Sequence, residues 1–285
     1  MSRTESASEP QAVNSRGRLT VPKLLALAED GQKIVCLTAY SAPMARLLDP
    51  LVDIILVGDS LGMVLYGYDS TLAVTLPMMI EHGKAVVRSS SRAMVVVDLP
   101  FGSYQQSPAQ AFASAAEVMA ATGCTAVKLE GGVEMAETIE FLVARGIPVM
   151  AHIGMTPQSV NQLGGYGARG KLQAERDRIQ GDLHAVKVSG AFAVVIENVM
   201  EEVVVEAIAK VEILTIGIGA SAACDGQVLV TEDICGFASP FKPRFVKPYG
   251  DLGAEVTRAA GEFAREVRAG VFPDADHVTR GVMKK

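Results

Sequence analysis

Asp59 in IILVGDS, Asp98 in MVVVDLP, Glu130 in AVKLEGG, His152 in IPVMAHIG and Glu197 in AVVIENV each close an apolar run. Each of these side chains can move a proton or help to hold a cation. Three carboxylates brought together, here Asp59, Asp98 and Glu130, repel one another unless protons or a cation compensate. Oxygen donors without thiolate or imidazole select a hard ion, and positions left for water and substrate point to Mg2+ over Ca2+. Lys128 stands two residues before Glu130, so on a strand both side chains share a face. A lysine in a barrel interior is costly unless an anionic substrate or a neighbouring acid pairs with it. Glu197, flanked by apolar VVI, is a candidate general base, with a further metal-shell or helix-capping acid as the alternative. His152 fits a hydrogen-bonded packing role as well as a catalytic one. Singly, each acid could serve a turn or a helix cap. Their recurrence at successive runs is what points to a site.

The elements that must position these groups are legible as well. From Lys33 onward, strand-length runs alternate with helical ones: KIVCLTAY, IILVGDS, MVVVDLP, AVKLEGG, IPVMAHIG, AVVIENV and ILTIGIGA are separated by segments such as PAQAFASAAEVMAATG and EEVVVEAIAKV. Continuous apolar runs are the mark of parallel strands buried on both faces, and repeated βα units imply right-handed crossovers. Seven strands are clear, with an eighth expected after GQVLVTEDICGF. A closed (β/α)8 barrel fits this count better than an open sheet, and polar groups at strand carboxyl ends then surround its mouth. A short helix over 20–29 takes Pro22 into its first turn. Residues 1–17 read as a disordered leader, 18–285 as one barrel domain with a C-terminal helix, and FKPRFVKPYGD as an irregular excursion. GIGASAACDG could bring backbone N–H groups to an anion, and QLGGYGARGK has the composition of a mobile loop.

Composition narrows the classes of function. The 285 residues are 49% hydrophobic and 20% charged with a formal net charge of −6, which disfavours a nucleic-acid partner. No run is a candidate transmembrane span, and the N-terminus lacks a signal-peptide pattern, so a cytoplasmic location is expected. Cys36, Cys124, Cys224 and Cys235 are widely spaced and read as structural thiols, and the four histidines form no zinc pair.

Taken in order, LVGDSLGMVLYGYDSTL, VVDLPFGSY, VKLEGG, AHIGMTPQSVNQLGGY and IGIGASAACDGQVLV resemble the ketopantoate hydroxymethyltransferase family, from about Lys33 to His277. The resemblance implies a TIM barrel of the phosphoenolpyruvate/pyruvate type, assembled as a homodecamer. It also implies transfer of a hydroxymethyl group from 5,10-methylenetetrahydrofolate to 3-methyl-2-oxobutanoate, giving 2-dehydropantoate in pantothenate biosynthesis. Asp59, Asp98 and Glu130 match positions that bind one Mg2+ per subunit directly or through water. Ser60 and Lys128, with Asp59 and Asp98, match positions that hold the oxo acid, and Glu197 matches the proton acceptor. Departures from common forms of the family are TAYSAP near the first strand, the GGYGARGK loop and Ser221. Two alternatives are another Mg2+-dependent lyase or mutase of the same superfamily acting on a different 2-oxo acid, and a catalytically inactive barrel kept for binding or assembly.

Overall fold

The computed structural model describes residues 17–237 and 243–281. All but the last residue of the expected leader, and the first two residues of FKPRFVKPYGD, lie outside them. The chain divides into two compact units, one ending at Val230 and the other beginning at Thr231. The first holds a closed barrel of eight parallel strands in sequence order. They are β1 (Ile34–Thr38), β2 (Ile54–Val57), β3 (Met94–Asp98), β4 (Ala126–Glu130), β5 (Val149–Gly154), β6 (Ala193–Glu197), β7 (Leu214–Ile218) and β8 (Gly226–Leu229).

The two-residue period of a strand divides the core in two. Ile34, Cys36, Ile54, Leu56, Met94, Val96, Ala126, Met150, Ala193, Val195, Ile216 and Val228 form one cluster with Leu24, filling the barrel interior as side-chain layers do in this architecture. Alternate residues such as Ile55, Val95, Val127 and Val194 join a second cluster with the surrounding helices. The helix Val21–Glu29 sets the fully buried Leu24 against the interior cluster. Further along the same inward positions the side chains change character. Asp98 follows Met94 and Val96, Lys128 and Glu130 follow Ala126, His152 follows Met150, and Glu197 follows Ala193 and Val195, each in steps of two. The interior is therefore apolar toward the strand starts and charged toward their ends.

Helix starts follow local chemistry. Ser107 accepts from Gln110 N, with Pro108 as the first residue of Pro108–Thr122, and Gly123 closes that helix in the left-handed conformation. The eighth strand lies inside GQVLV rather than beyond the segment where the sequence placed it. Closure explains this: β1 pairs with β8 from Ile34↔Gly226 to Leu37↔Leu229. A Cβ on residue 226 would collide with the Ile34 carbonyl oxygen and approach the Ile216 side chain. Gly226 is what allows the last strand to approach the first.

The second unit contains the helix Leu252–Ala269, capped by Asp251, whose side chain accepts from Ala254 N at 3.1 Å. Among the described residues no helix is long and apolar enough to cross a membrane.

Candidate active site

The mouth of the barrel is built by adjacent strand ends in register. Asp98 of β3 stands opposite Lys128 of β4, Glu130 of β4 opposite His152 of β5, and Gly154 of β5 opposite Glu197 of β6. Asp59 lies two residues past β2, in the turn that opens the short helix Leu61–Val64. A Cβ at Gly58 would come within 2.9 Å of Ser60 Oγ and 3.5 Å of Asp98 Oδ2, so the glycine of GDS lets this turn lie against β3. The Asp59 backbone N–H then donates to Asp98 Oδ2 at 3.1 Å. Ser60 Oγ is 2.8 Å from the Tyr40 hydroxyl at the end of β1.

Charge in this mouth is concentrated and buried. Lys128 Nζ is 2.9 Å from Asp98 Oδ1, with both side chains almost wholly enclosed. Burial alone would lower the lysine pKa, but the charges of Asp98, Asp59 and Glu130 more than reverse that and hold it protonated. Burial, then the neighbouring Asp98 charge, pushes the Asp59 carboxyl up to about 7. Glu130 is driven well above its ordinary value by burial and then by Asp59. Burial, followed by the Lys128 charge, lowers the His152 pKa and keeps the imidazole neutral. Its Nδ1 lies 3.5 Å from Lys128 Nζ, an obligate donor, and its Nε2 lies 3.1 Å from Glu197 Oε2. Nδ1 also lies 3.5 Å from Glu130 Oε1, and Nε2, though close to Glu197, makes no aligned hydrogen bond. Glu197 is the more accessible member, with 18% of its side chain exposed against 4% for Glu130 and His152.

Hydrogen bonds, rather than direct contact, link the three carboxylates that the sequence placed at the strand endings. Among the described residues no three His, Cys, Asp or Glu side chains are placed to hold a metal ion between them. Gln158, from the loop after β5, links Asp59 and Glu130. Its Nε2 donates to Asp59 Oδ2 at 2.9 Å and to the Leu99 carbonyl at 3.0 Å, while its backbone N–H donates to Glu130 Oε2 at 2.9 Å. Tyr104, buried after β3, donates its hydroxyl proton to Gln158 Oε1 at 2.7 Å and accepts from Glu130 N at 3.0 Å. Asp98 Oδ1 is buried with no aligned hydrogen bond despite its contact with Lys128. Two adjoining acids, an under-bonded oxygen and an all-oxygen donor set fit a hard cation that completes its shell with water or substrate oxygens. Asp59, Asp98 and Glu130 are the residues that would hold it, directly or through water.

Gln158, Tyr104 and Tyr40 lie within or beside recognisable motifs, AHIGMTPQ, VVDLPFGSY and TAY, yet their types gave no sign of a role. The available signal was position: each falls shortly after a strand end, where barrel loops carry function. The QLGGYGARGK segment is better anchored than its composition implied. Arg169 N donates to Asn198 O at 2.8 Å, Met200 N to Arg169 O at 2.9 Å and Asn198 Nδ2 to Tyr166 O at 2.9 Å. Burial, then the charges of Asp59, Glu197 and Glu130, raises the Tyr166 pKa. GIGASAACDG is tied within itself, with Ser221 Oγ accepting from Ala223 N at 3.1 Å. The thiols of Cys36, Cys124, Cys224 and Cys235 are all free, and burial raises each of them.

A closed parallel barrel with acids and a lysine gathered at the carboxyl ends of its strands defines an enzyme of the (β/α)8 class. Solved structures agree on the fold: a phosphonopyruvate hydrolase has a TM-score of 0.58 at 14% identity over 93% of each chain. An oxaloacetate acetylhydrolase has a TM-score of 0.57 at 15% identity, covering 91% of this chain and 90% of its own. The family model for ketopantoate hydroxymethyltransferase matches residues 18–275. The 3-methyl-2-oxobutanoate hydroxymethyltransferase of Paramagnetospirillum magneticum is 60% identical, covering 89% of this chain and 92% of its own. That of Rhodospirillum centenum is 57% identical, covering 94% and 97% respectively. The chain belongs to the ketopantoate hydroxymethyltransferase family and is an enzyme.

Proposed function

We propose that the chain transfers a hydroxymethyl group from 5,10-methylenetetrahydrofolate to 3-methyl-2-oxobutanoate, giving 2-dehydropantoate, with Mg2+ as the resident ion. The observation that carries this reading is the imbalance of charge at the mouth. Asp59, Asp98, Glu130 and Glu197 share the mouth with one protonated base, Lys128, His152 being held neutral. Burial and crowding raise Asp59 and Glu130, so that they favour protons that a cation would displace. When bound, Mg2+ supplies Lewis-acid stabilisation for negative charge developing on the keto oxygen of the substrate. Lys128 offsets the substrate carboxylate, and Ser60, backed by Tyr40, offers it a hydrogen bond. Glu197 takes the proton from C3 of the oxo acid. Its accessible position lets it meet the substrate, with His152 Nε2 3.1 Å from one of its oxygens. Water cleaves both carbon–nitrogen bonds of the methylene bridge, releasing the one-carbon unit as formaldehyde and tetrahydrofolate with the two protons of that water on its nitrogens. The electron pair left at C3 then forms the carbon–carbon bond to the formaldehyde carbon, and the oxygen takes back the proton held by Glu197 to become the hydroxyl. Family resemblance supports a homodecamer, and the lack of a transmembrane span or signal-peptide pattern in the sequence supports a cytoplasmic location.

The decisive assay measures 2-dehydropantoate formation from both substrates with and without Mg2+, and formation that requires both folate and metal is expected. Glu197→Gln is expected to slow deuterium exchange at C3 by at least 100-fold, the scale of general-base catalysis, while leaving oxo-acid binding intact. Exchange at the wild-type rate would remove Glu197 as the base.

A further inference from the structure

The geometry points to Gln158 as a positioning residue that presents Asp59 and Glu130 to the substrate-side ion, with Tyr104 fixing which way its amide faces. This inference rests on the metal reading above. Each carboxylate of the trio has one oxygen tied to a protein N–H: Asp59 Oδ2 to Gln158 Nε2, Glu130 Oε2 to Gln158 N and Asp98 Oδ2 to Asp59 N. Tethering one oxygen fixes where the other lies: Asp98 Oδ1 meets Lys128 Nζ at 2.9 Å, Glu130 Oε1 lies 3.5 Å from His152 Nδ1, and the direction of Asp59 Oδ1 is set by the tether on Oδ2. One residue supplies two of these three tethers.

The Gln158 amide has only one satisfactory orientation. Its Oε1 accepts from the Tyr104 hydroxyl at 2.7 Å and from Gln105 Nε2 at 3.0 Å. Its Nε2 donates to Asp59 and to the Leu99 carbonyl. Reversing the amide would set its oxygen against a carboxylate and a carbonyl, and its NH2 against the Gln105 amide NH2, which is already a donor. Gln158 is 6% exposed and Tyr104 1%, so water cannot substitute cheaply for these bonds. The Tyr104 hydroxyl also accepts from Glu130 N. The pair therefore couples the loop after β3, the end of β4 and the loop after β5 to the turn after β2. Partners of this kind orient metal-ligating groups, and losing one costs about 10–100-fold in metal affinity or activity.

The test uses the full-length protein and MgCl2 as the probe. Titration calorimetry without substrate is expected to show Gln158→Met weakening Mg2+ affinity by about 10-fold. Tyr104→Phe, which leaves the amide in place but frees its orientation, is expected to weaken it by about 3-fold and serves if Gln158→Met fails to fold. Both variants should show a larger fall in kcat than rise in oxo-acid KM. A role confined to packing would lower Tm and leave Mg2+ affinity of the folded protein alone, so wild-type affinity in either folded variant overturns the inference. Should the wild-type protein bind no Mg2+, the metal reading itself fails. Positioning is then decided by crystal structures: a turned Asp59 carboxylate in the variants, with Glu130 still held by the backbone N–H of residue 158, supports it, and an unchanged Asp59 rotamer refutes it.

Discussion

Asp59 shows how a fold is stressed to prepare a site. Its folded pKa of about 7 lies above the unfolded value of 3.8, so across that interval the folded chain retains a proton that the unfolded chain has released. The stability linked to that proton is complete below pH 3.8 and is lost as pH rises to about 7. Metal-free protein is therefore expected to become less stable to urea as pH rises from about 4 to about 7, and Asp59→Asn to flatten that slope. Equal slopes for the two proteins would show that Asp59 is not the group responsible. At this scale the sequence was informative wherever a charged residue ended an apolar run. Asp98, Lys128, Glu130, His152 and Glu197 all reach the mouth because two-residue periodicity carries an inward face to its end. It was uninformative where a neutral residue acts through hydrogen bonds. Nothing in the letters of MTPQ distinguishes a glutamine that links two carboxylates from one facing solvent, because its role depends on Tyr104, 54 positions earlier.

At the scale of elements, register holds the site together, and register is fixed partly at the opposite end of the barrel. Asp49, after the helix Ala42–Leu48, accepts backbone N–H bonds from Ser91 at 2.8 Å, Arg92 at 3.0 Å and Ala93 at 2.9 Å, the residues leading into β3. Burial would raise its pKa, and those bonds overcome that and lower it. The stability it contributes is thus present above pH 3.8 and is lost as pH falls through the lower folded value. Asp49→Ala strands three donors and is expected to cost about 3 kcal/mol in chemical denaturation; a loss below about 0.5 kcal/mol would show that water replaces the carboxylate. Seven strands were legible because Val, Ile and Leu runs announce themselves. The eighth was not: Gly226 and Gln227 are poor strand formers in isolation, and only pairing with β1 makes them one.

For the molecule as a whole, the barrel accounts for the residues up to Val230, and Thr231 begins a unit with a different surface. Leu252, Val256, Phe263 and Val267 recur on one side of the helix Leu252–Ala269, and all four are exposed. Spacings of four, seven and four place them on a single stripe, and such a stripe suits self-association. Light scattering on Val256→Glu/Val267→Glu is expected to give a smaller assembly than wild type with an unchanged far-ultraviolet spectrum. An unaltered mass would exclude this face from the proposed assembly. Sequence periodicity showed that the helix was amphipathic, but its letters could not say whether the apolar side would be covered within the chain.

The seam between Ile34 and Gly226 has a consequence in time. A closed ring has no free margin, but the ribosome makes this one from an end, and the edge of β1 is a bare row of amide donors and acceptors until residues 226–229 emerge. Bare edges recruit foreign strands. For most of its synthesis the nascent chain is therefore exposed to mispairing that the finished enzyme cannot undergo, and any delay in delivering a four-residue strand lengthens that exposure.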